Sequence, residues 1–386
     1  MSSIPAQAQA VDKRSEPIVT IDRFVPHLST VPANLGQTVG LFLREKALAS
    51  GPQVPTVKLH VVLFIHGGYS PSVVAYDLDY KDYSFMAALA RAGFDVFAMT
   101  HTGYGASPKP MMDDPRNVDA AFQHLLIPRV LKEPRPPRYP FKLVSSRTEW
   151  DEIETVVRFI MELRKVDRVS LIGWSTGAPR AGGFAALHPD KVEKLVLYGP
   201  AAYFSSDAPP DLMPEPGAPM ILQSWDTLMN KRWRADVRCE GQLDDPEVRE
   251  VMWRELMAQD GLGAQWGPEG IGIMRAPNRM NFGWRQNVAR IKAPTLVLLG
   301  EFDNYEQRRD SWKGLRVERK VFIKVGCASH FMSYERARHV LHRTAREWLQ
   351  GGTIEGMTQA EFYADRDGRL EPLRPSDCPA VMPVPD

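Results

Sequence analysis

The chain has 386 residues, 44% hydrophobic and 25% charged, a balance that suits a globular protein and excludes a mostly disordered one. Its 48 basic and 47 acidic residues leave a net charge of +1, so no broad field draws it to nucleic acid or to an anionic membrane. The length suggests two domains, or one large domain carrying an insertion.

Residues 1–17 are polar and small and are expected to form a flexible N-terminal arm without the basic-then-apolar pattern of a signal peptide. Strands are predicted at 18–24, 39–44 and 61–65. The third, Val61-Val62-Leu63-Phe64-Ile65, is continuously apolar, as a strand covered on both faces must be. It ends in the turn signal His66-Gly67-Gly68. A helix is predicted near 85–92, stopped by Gly93, followed by a buried strand at 95–99 that ends in Thr102-Gly103-Tyr104-Gly105. Residues 107–147 are rich in proline and aperiodic, and read as an excursion from the core. Helical spacing resumes at Ile153, Val156, Val157, Ile160 and Leu163, with acidic residues near its start where the helix dipole favours them.

A strand at 169–172 runs into Gly173-Trp174-Ser175-Thr176-Gly177, a helix follows to about His188, and another strand is predicted at 195–198. The pattern breaks over 200–291, where prolines cluster before amphipathic pieces carrying Trp225, Trp233, Trp253, Trp266 and Trp284. It returns with strands at 295–299, ending in Gly300-Glu301-Phe302-Asp303, and at 320–325, ending near His330. A last helix holds Val340, Leu341, Ala345, Trp348 and Leu349, and 351–386 read as a proline-rich tail without core signal. Strands alternating with helices imply an α/β class with a mostly parallel central sheet flanked by helices. The expected division is a core of 18–199 and 292–350, interrupted by a mainly helical lid at 200–291.

Chemistry-bearing residues fall at the ends of those strands. Gly173 to Gly177 fit Gly-x-Ser-x-Gly between a buried strand and a helix, the context in which the serine of a sharp turn stands exposed above a sheet. Ser175 is therefore the candidate nucleophile. Pro179 suits the first turn of the following helix, where a missing amide costs nothing. A serine needs a base, and His330 follows the last strand. The base needs an acid to fix its tautomer; Asp303 is the candidate, with Glu301 as its main rival and Asp207 as a weaker one. Three cysteines, Cys239, Cys327 and Cys378, are too few and too scattered for a disulfide framework.

The order Ser175, Asp303, His330 resembles the α/β-hydrolase superfamily, together with His66-Gly67-Gly68, Gly103-Tyr104-Gly105-Ala106-Ser107 and Ala328-Ser329-His330-Phe331. The resemblance covers about 60–200 and 290–350. It implies an oxyanion hole from the amides of Gly68, with Tyr69 beside it, and Thr176. Ser175 at the elbow disfavours epoxide or haloalkane chemistry, for which the family carries Asp there. His101 stands where the family often has Asp, so no role is transferred to it. The insertion resembles a lid whose Trp225, Phe282 and Trp284, with Tyr69, Trp174 and Phe331, are candidates to line an apolar substrate pocket.

The expected activity is serine hydrolysis of a carboxylic ester or lactone with a bulky apolar or aromatic part. The same triad also serves carbon–carbon bond hydrolysis of β-diketones, amide hydrolysis or acyl transfer, and the fold can act as a non-catalytic binding protein. A small-molecule substrate is the expected partner, with no nucleic acid and no membrane. No P-loop, dinucleotide fingerprint, His-Glu-x-x-His or EF-hand pattern occurs, so no cofactor and no metal are expected. The expected location is cytoplasmic.

Overall fold

The computed structural model describes residues 16–50, 60–200, 208–303, 309 and 312–374. Its strands are β1 (Ile18–Leu28), β2 (Thr38–Leu48), β3 (Val61–Ile65), β4 (Asp95–Met99), β5 (Val169–Trp174), β6 (Val192–Tyr198), β7 (Met220–Gln223), β8 (Met274–Pro277), β9 (Thr295–Gly300), β10 (Lys320–Val325), β11 (Gln359–Ala364) and β12 (Leu370–Pro372). Its helices are α1 (Ser72–Tyr76), α2 (Phe85–Arg91), α3 (Ser146–Arg164), α4 (Gly177–Leu187), α5 (Val248–Ala258), α6 (Gly261–Gln265), α7 (Trp284–Val288) and α8 (Arg338–Gly351).

Ten of the strands form one sheet in the order β1-β2-β4-β3-β5-β6-β9-β10-β11-β12. From β4 to β11 every neighbouring pair is parallel, while β1, β2 and β12 join antiparallel at the two ends. The period of two decides which layer each side chain enters. Val61, Leu63 and Ile65 of β3 join Val156, Ile160 and Phe184 from α3 and α4. Val62 and Phe64 join Phe85, Leu89, Leu341 and Trp348 from α2 and α8 on the opposite face. Both faces are thus covered by apolar helix stripes, which explains why β3 reads as an unbroken apolar run. The long helix α3 begins at a capping box between Ser145 and Thr148 and ends at Lys165 in the left-handed region.

The structure departs from the expected organisation in three places. Residues 351–386 are not a tail throughout: β11 pairs with β10, β12 folds back on β11, and Ile354, Phe362 and Ala364 are buried. The segment alternates these with Gln359, Glu361 and other polar residues, and so lacked the continuous apolar run that marks β3. Residues 208–291 combine α5, α6, α7 and a π-helical stretch, Asp226–Trp233, with the antiparallel pair β7–β8, so the inserted region is not helical alone. Cys239 and Cys327 are bonded across 88 residues with Cα atoms 5.7 Å apart, a single cross-link that their spacing does not announce.

The excursion at 107–147 packs back on the core through Met112, Val118, Leu126, Leu143 and Val144. Residues 1–15 of the expected arm, and Asp207, lie outside the described residues. Among the described residues, no helix is long and apolar enough to cross a membrane.

Candidate active site

Three loops leave the C-terminal ends of β5, β9 and β10 and converge above the sheet. The turn after β5 places Ser175 at φ 55, in the left-handed region that a β-carbon disfavours. The surrounding glycines make this turn possible. A methyl on Gly177 would overlap the carbonyl oxygen of Ile65 and come within 2.9 Å of that of His66. β3 sits in the middle of the sheet and cannot yield. Gly177→Ala is therefore expected to lower stability by about 1–3 kcal/mol through overpacking, read as a reduced urea midpoint. An unchanged midpoint would contradict this account of the turn.

His330 Nε2 lies 2.9 Å from Ser175 Oγ, and His330 Nδ1 lies 3.0 Å from Asp303 Oδ2. Asp303 and His330 are both buried, with 3% and 5% of their surface exposed. Gly199, at φ 50 after β6, lets the backbone pass this pair, since a β-carbon there would stand 3.0 Å from Asp303 Oδ2 and 3.1 Å from His330 Nδ1. Trp174 Nε1 donates to the His330 carbonyl at 3.0 Å, and its ring stacks on Tyr198, so the residue before the serine holds the histidine backbone. Glu301, the rival acid, is turned away: its carboxylate accepts from the Cys327 amide at 3.0 Å and faces Lys324 Nζ at 3.4 Å.

The loop after β3 passes against the same turn. A β-carbon on Gly67 would stand 3.0 Å from Ser175 Cβ, and one on Gly68 would stand 3.2 Å from Thr176 Oγ1. Tyr69 follows at φ 80. Among the described residues, neither the Gly68 nor the Tyr69 amide donates a backbone–backbone hydrogen bond.

Behind this loop lies a buried polar network. Arg180 of α4 is 1% exposed; its guanidinium donates through Nε and Nη2 to Glu149 at 2.7 and 2.5 Å. Its Nη1 donates to the carbonyls of His66 and Gly67 at 2.9 and 3.1 Å. Burial works against its charge, but Glu149 and Tyr104 beside it hold the guanidinium above its ordinary value. The same burial, with Arg180 and His101 nearby, pushes the His66 imidazole well down. His66 is thus neutral: Nε2 accepts from the His101 amide at 3.1 Å, which leaves the proton on Nδ1, 2.7 Å from the Gly67 carbonyl. His101 is likewise pushed down to about 3 by burial, and its Nδ1 meets Glu152 at 2.8 Å. His66 and His101 therefore belong to the scaffold of the loop.

A model of the alpha/beta hydrolase fold family matches residues 60–238. The fold is that of the α/β-hydrolase superfamily. Solved structures similar to it include a monoacylglycerol lipase of Paleococcus ferrophilus, 17% identical over 81% of this chain and 99% of that one, with TM-score 0.46. Another is a serine hydrolase involved in carbazole degradation, 17% identical over 86% of this chain and 99% of that one, with TM-score 0.49. A third is the 2-hydroxy-6-oxo-6-phenylhexa-2,4-dienoate hydrolase of Rhodococcus sp. strain RHA1, 14% identical over 87% of this chain and 100% of that one, with TM-score 0.46.

A cavity of about 530 Å³ opens at Ser175 and His330. Tyr69, Trp174, Phe282 and Phe331 line it, as the sequence suggests. Trp225 and Trp284 do not. Trp225 meets Trp253 edge to face at 5.6 Å within the inserted region. Trp284 is buried beneath α4 against Gly182, where the missing side chain makes room for its ring. Residues from the inserted region, among them Ile221, Leu228, Met252 and Met280, form one wall. Gln223, Arg232, Asn278 and Arg279 also face the cavity, a polar contribution that sequence reasoning missed. Arg279 Nη2 donates to Tyr69 Oη at 3.0 Å, and the Arg232 guanidinium sits 5.7 Å from the centre of the Phe331 ring. A larger cavity of about 830 Å³ lies between α8 and the β11–β12 pair, but none of the three converging residues lines it.

Proposed function

We propose that this protein is a serine hydrolase of carboxylic esters or lactones. The observation that carries the reading is the chain of contacts from Ser175 Oγ through His330 to Asp303, at 2.9 and 3.0 Å, on the wall of a cavity. Ser175 attacks the carbonyl while His330 Nε2 takes its proton, and Asp303 fixes the ring with Nδ1 protonated and stabilises the imidazolium. The amides of Gly68 and Thr176 receive the oxyanion. His330 returns the proton to the leaving alcohol, then draws a proton from water to release the acyl group from Ser175. Each oxyanion donor contributes about 3 kcal/mol to lowering the barrier. The inserted region acts as the lid over this site.

The substrate reading follows the lining. Phe282, Phe331 and Trp174 favour a bulky apolar or aromatic part, while Arg232 and Arg279 add positive charge. No carboxylate is among the described residues that line the cavity. An ester carrying an anionic group on its apolar part fits this balance. Arg279→Ala is expected to raise KM for p-nitrophenyl hemisuccinate by about fivefold, the scale of a partly exposed charge pair, and to leave p-nitrophenyl butyrate within about twofold. Equal changes for both esters would remove the charge argument.

The test of the function is a panel of p-nitrophenyl esters, from acetate to long-chain and aromatic acyl groups, with mass-spectrometric mapping of an organophosphonate label. Turnover above buffer and a label on Ser175 are expected. A folded protein that neither turns over any ester nor takes the label overturns the reading.

A further inference from the structure

Glu335 lies five residues beyond His330, in the turn that leads to α8, and is 0% exposed. Four donors converge on its carboxylate. Oε2 accepts from the Ser329 amide at 2.9 Å. Oε1 accepts from Ser329 Oγ at 2.5 Å, Trp233 Nε1 at 3.0 Å and Gln242 Nε2 at 3.2 Å. Ser329 immediately precedes His330, and its Oγ in turn accepts from the Phe331 amide at 3.1 Å. The residues on both sides of the histidine are thus held by this carboxylate or by the hydroxyl it fixes.

The other two donors belong to the inserted region. Trp233 stacks on Phe331 at 4.7 Å, and Gln242 Oε1 accepts from the amides of Arg238 and Cys239. Burial pushes the Glu335 carboxyl up to about 7, while the Ser329, Trp233 and Gln242 donors pull it down. A buried acid is an expensive way to join two segments that the Cys239–Cys327 bond already ties. What the carboxylate adds is orientation, because four donors at set angles fix a loop more closely than one covalent link.

We infer that Glu335 is a positioning residue, holding the His330 loop and the Trp233–Gln242 part of the inserted region as one hydrogen-bonded unit that aims the imidazole at Ser175. The inference rests on the proposed roles of Ser175 and His330. It makes the seating of the lid and the alignment of the base a single event, although Glu335 itself touches neither the serine nor the cavity.

Glu335→Gln tests it nearly isosterically. The amide oxygen can keep the Trp233, Gln242 and Ser329 hydroxyl donors, but its NH₂ then meets the Ser329 amide donor to donor, so the broken contact is the one on the histidine loop. The expected result is a loss of about 10- to 100-fold in kcat with KM within about twofold, together with a shifted His330 ring signal in ¹⁵N-histidine NMR, assigned by its loss in His330→Ala. Unchanged kcat and an unchanged ring signal in a folded Glu335→Gln protein overturn the inference. If that variant does not fold, Trp233→Phe decides, since it keeps the stacked ring and removes one donor from the lid side: an unmoved His330 signal overturns the inference, and a shifted one supports it. The ring signal also separates the two readings, because a protein without esterase activity still reports whether Glu335 orients His330.

Discussion

Ser175→Ala is expected to lower kcat on the best p-nitrophenyl ester by about 10⁴- to 10⁶-fold while leaving the fold intact. The oxygen that His330 Nε2 meets at 2.9 Å is the only atom removed. Alanine carries the same β-carbon, so the strain of the φ 55 backbone is neither relieved nor increased. The cavity walls and the glycine loop stay in place, so KM should hold within a few-fold for substrates bound by the aromatic side chains. His330→Ala should cost a similar factor, and the double variant little more, because residues that act as a unit do not contribute additively. The measurement is steady-state turnover beside circular dichroism. If Ser175→Ala keeps more than about 1% of the wild-type rate, Ser175 is not the nucleophile.

Arg180→Met is expected to lower folding stability by roughly 3–5 kcal/mol. The guanidinium and the Glu149 carboxylate are both buried, and they meet through two hydrogen bonds at 2.5 and 2.7 Å. Removing one partner leaves a carboxylate without water and without its cation. The loss should show as a large fall in the urea midpoint with an unchanged slope. Pairing the change with Glu149→Leu should recover most of the stability, since an apolar pair of similar volume has no buried charge to satisfy. It should not recover activity in full, because Arg180 also donates to the His66 and Gly67 carbonyls and so sets the loop that faces Thr176. A double variant as unstable as Arg180→Met alone would show that the pair is not the source of the loss.

How much of this was legible in the sequence follows from what kind of signal each residue carries. Strands β3, β4 and β10 were read to the residue because each holds a cluster of apolar residues and ends at a turn. Ser175, Asp303 and His330 were singled out because each stands just beyond such a strand, and the structure brings the three together. Arg180 was not singled out, although a charged side chain in the small and apolar helix Gly177–Leu187 is an anomaly worth following. Its loop partners lie 113 and 114 residues earlier, a pairing that no local pattern encodes. Trp225 and Trp284 show the converse limit. Their side chains suit a pocket lining, but whether an aromatic ring faces a cavity or fills a gap such as the one at Gly182 depends on tertiary packing. Glu335 gave no local sign, because its four donors come from Ser329 nearby and from two residues about a hundred positions away.

The continuation of the sheet past β10 changes the kinetic character of the site. With β9 on one side and β11 on the other, the strand that carries the His330 loop is interior. Its amide hydrogens should exchange only when the sheet opens as a whole. The short strand β12, three residues long and ending in Pro372, then stands at the rim and offers a second molecule little to pair with. His330 is thus anchored next to the slow-exchanging part of the protein, and aggregation through that flank is blunted by the same few residues.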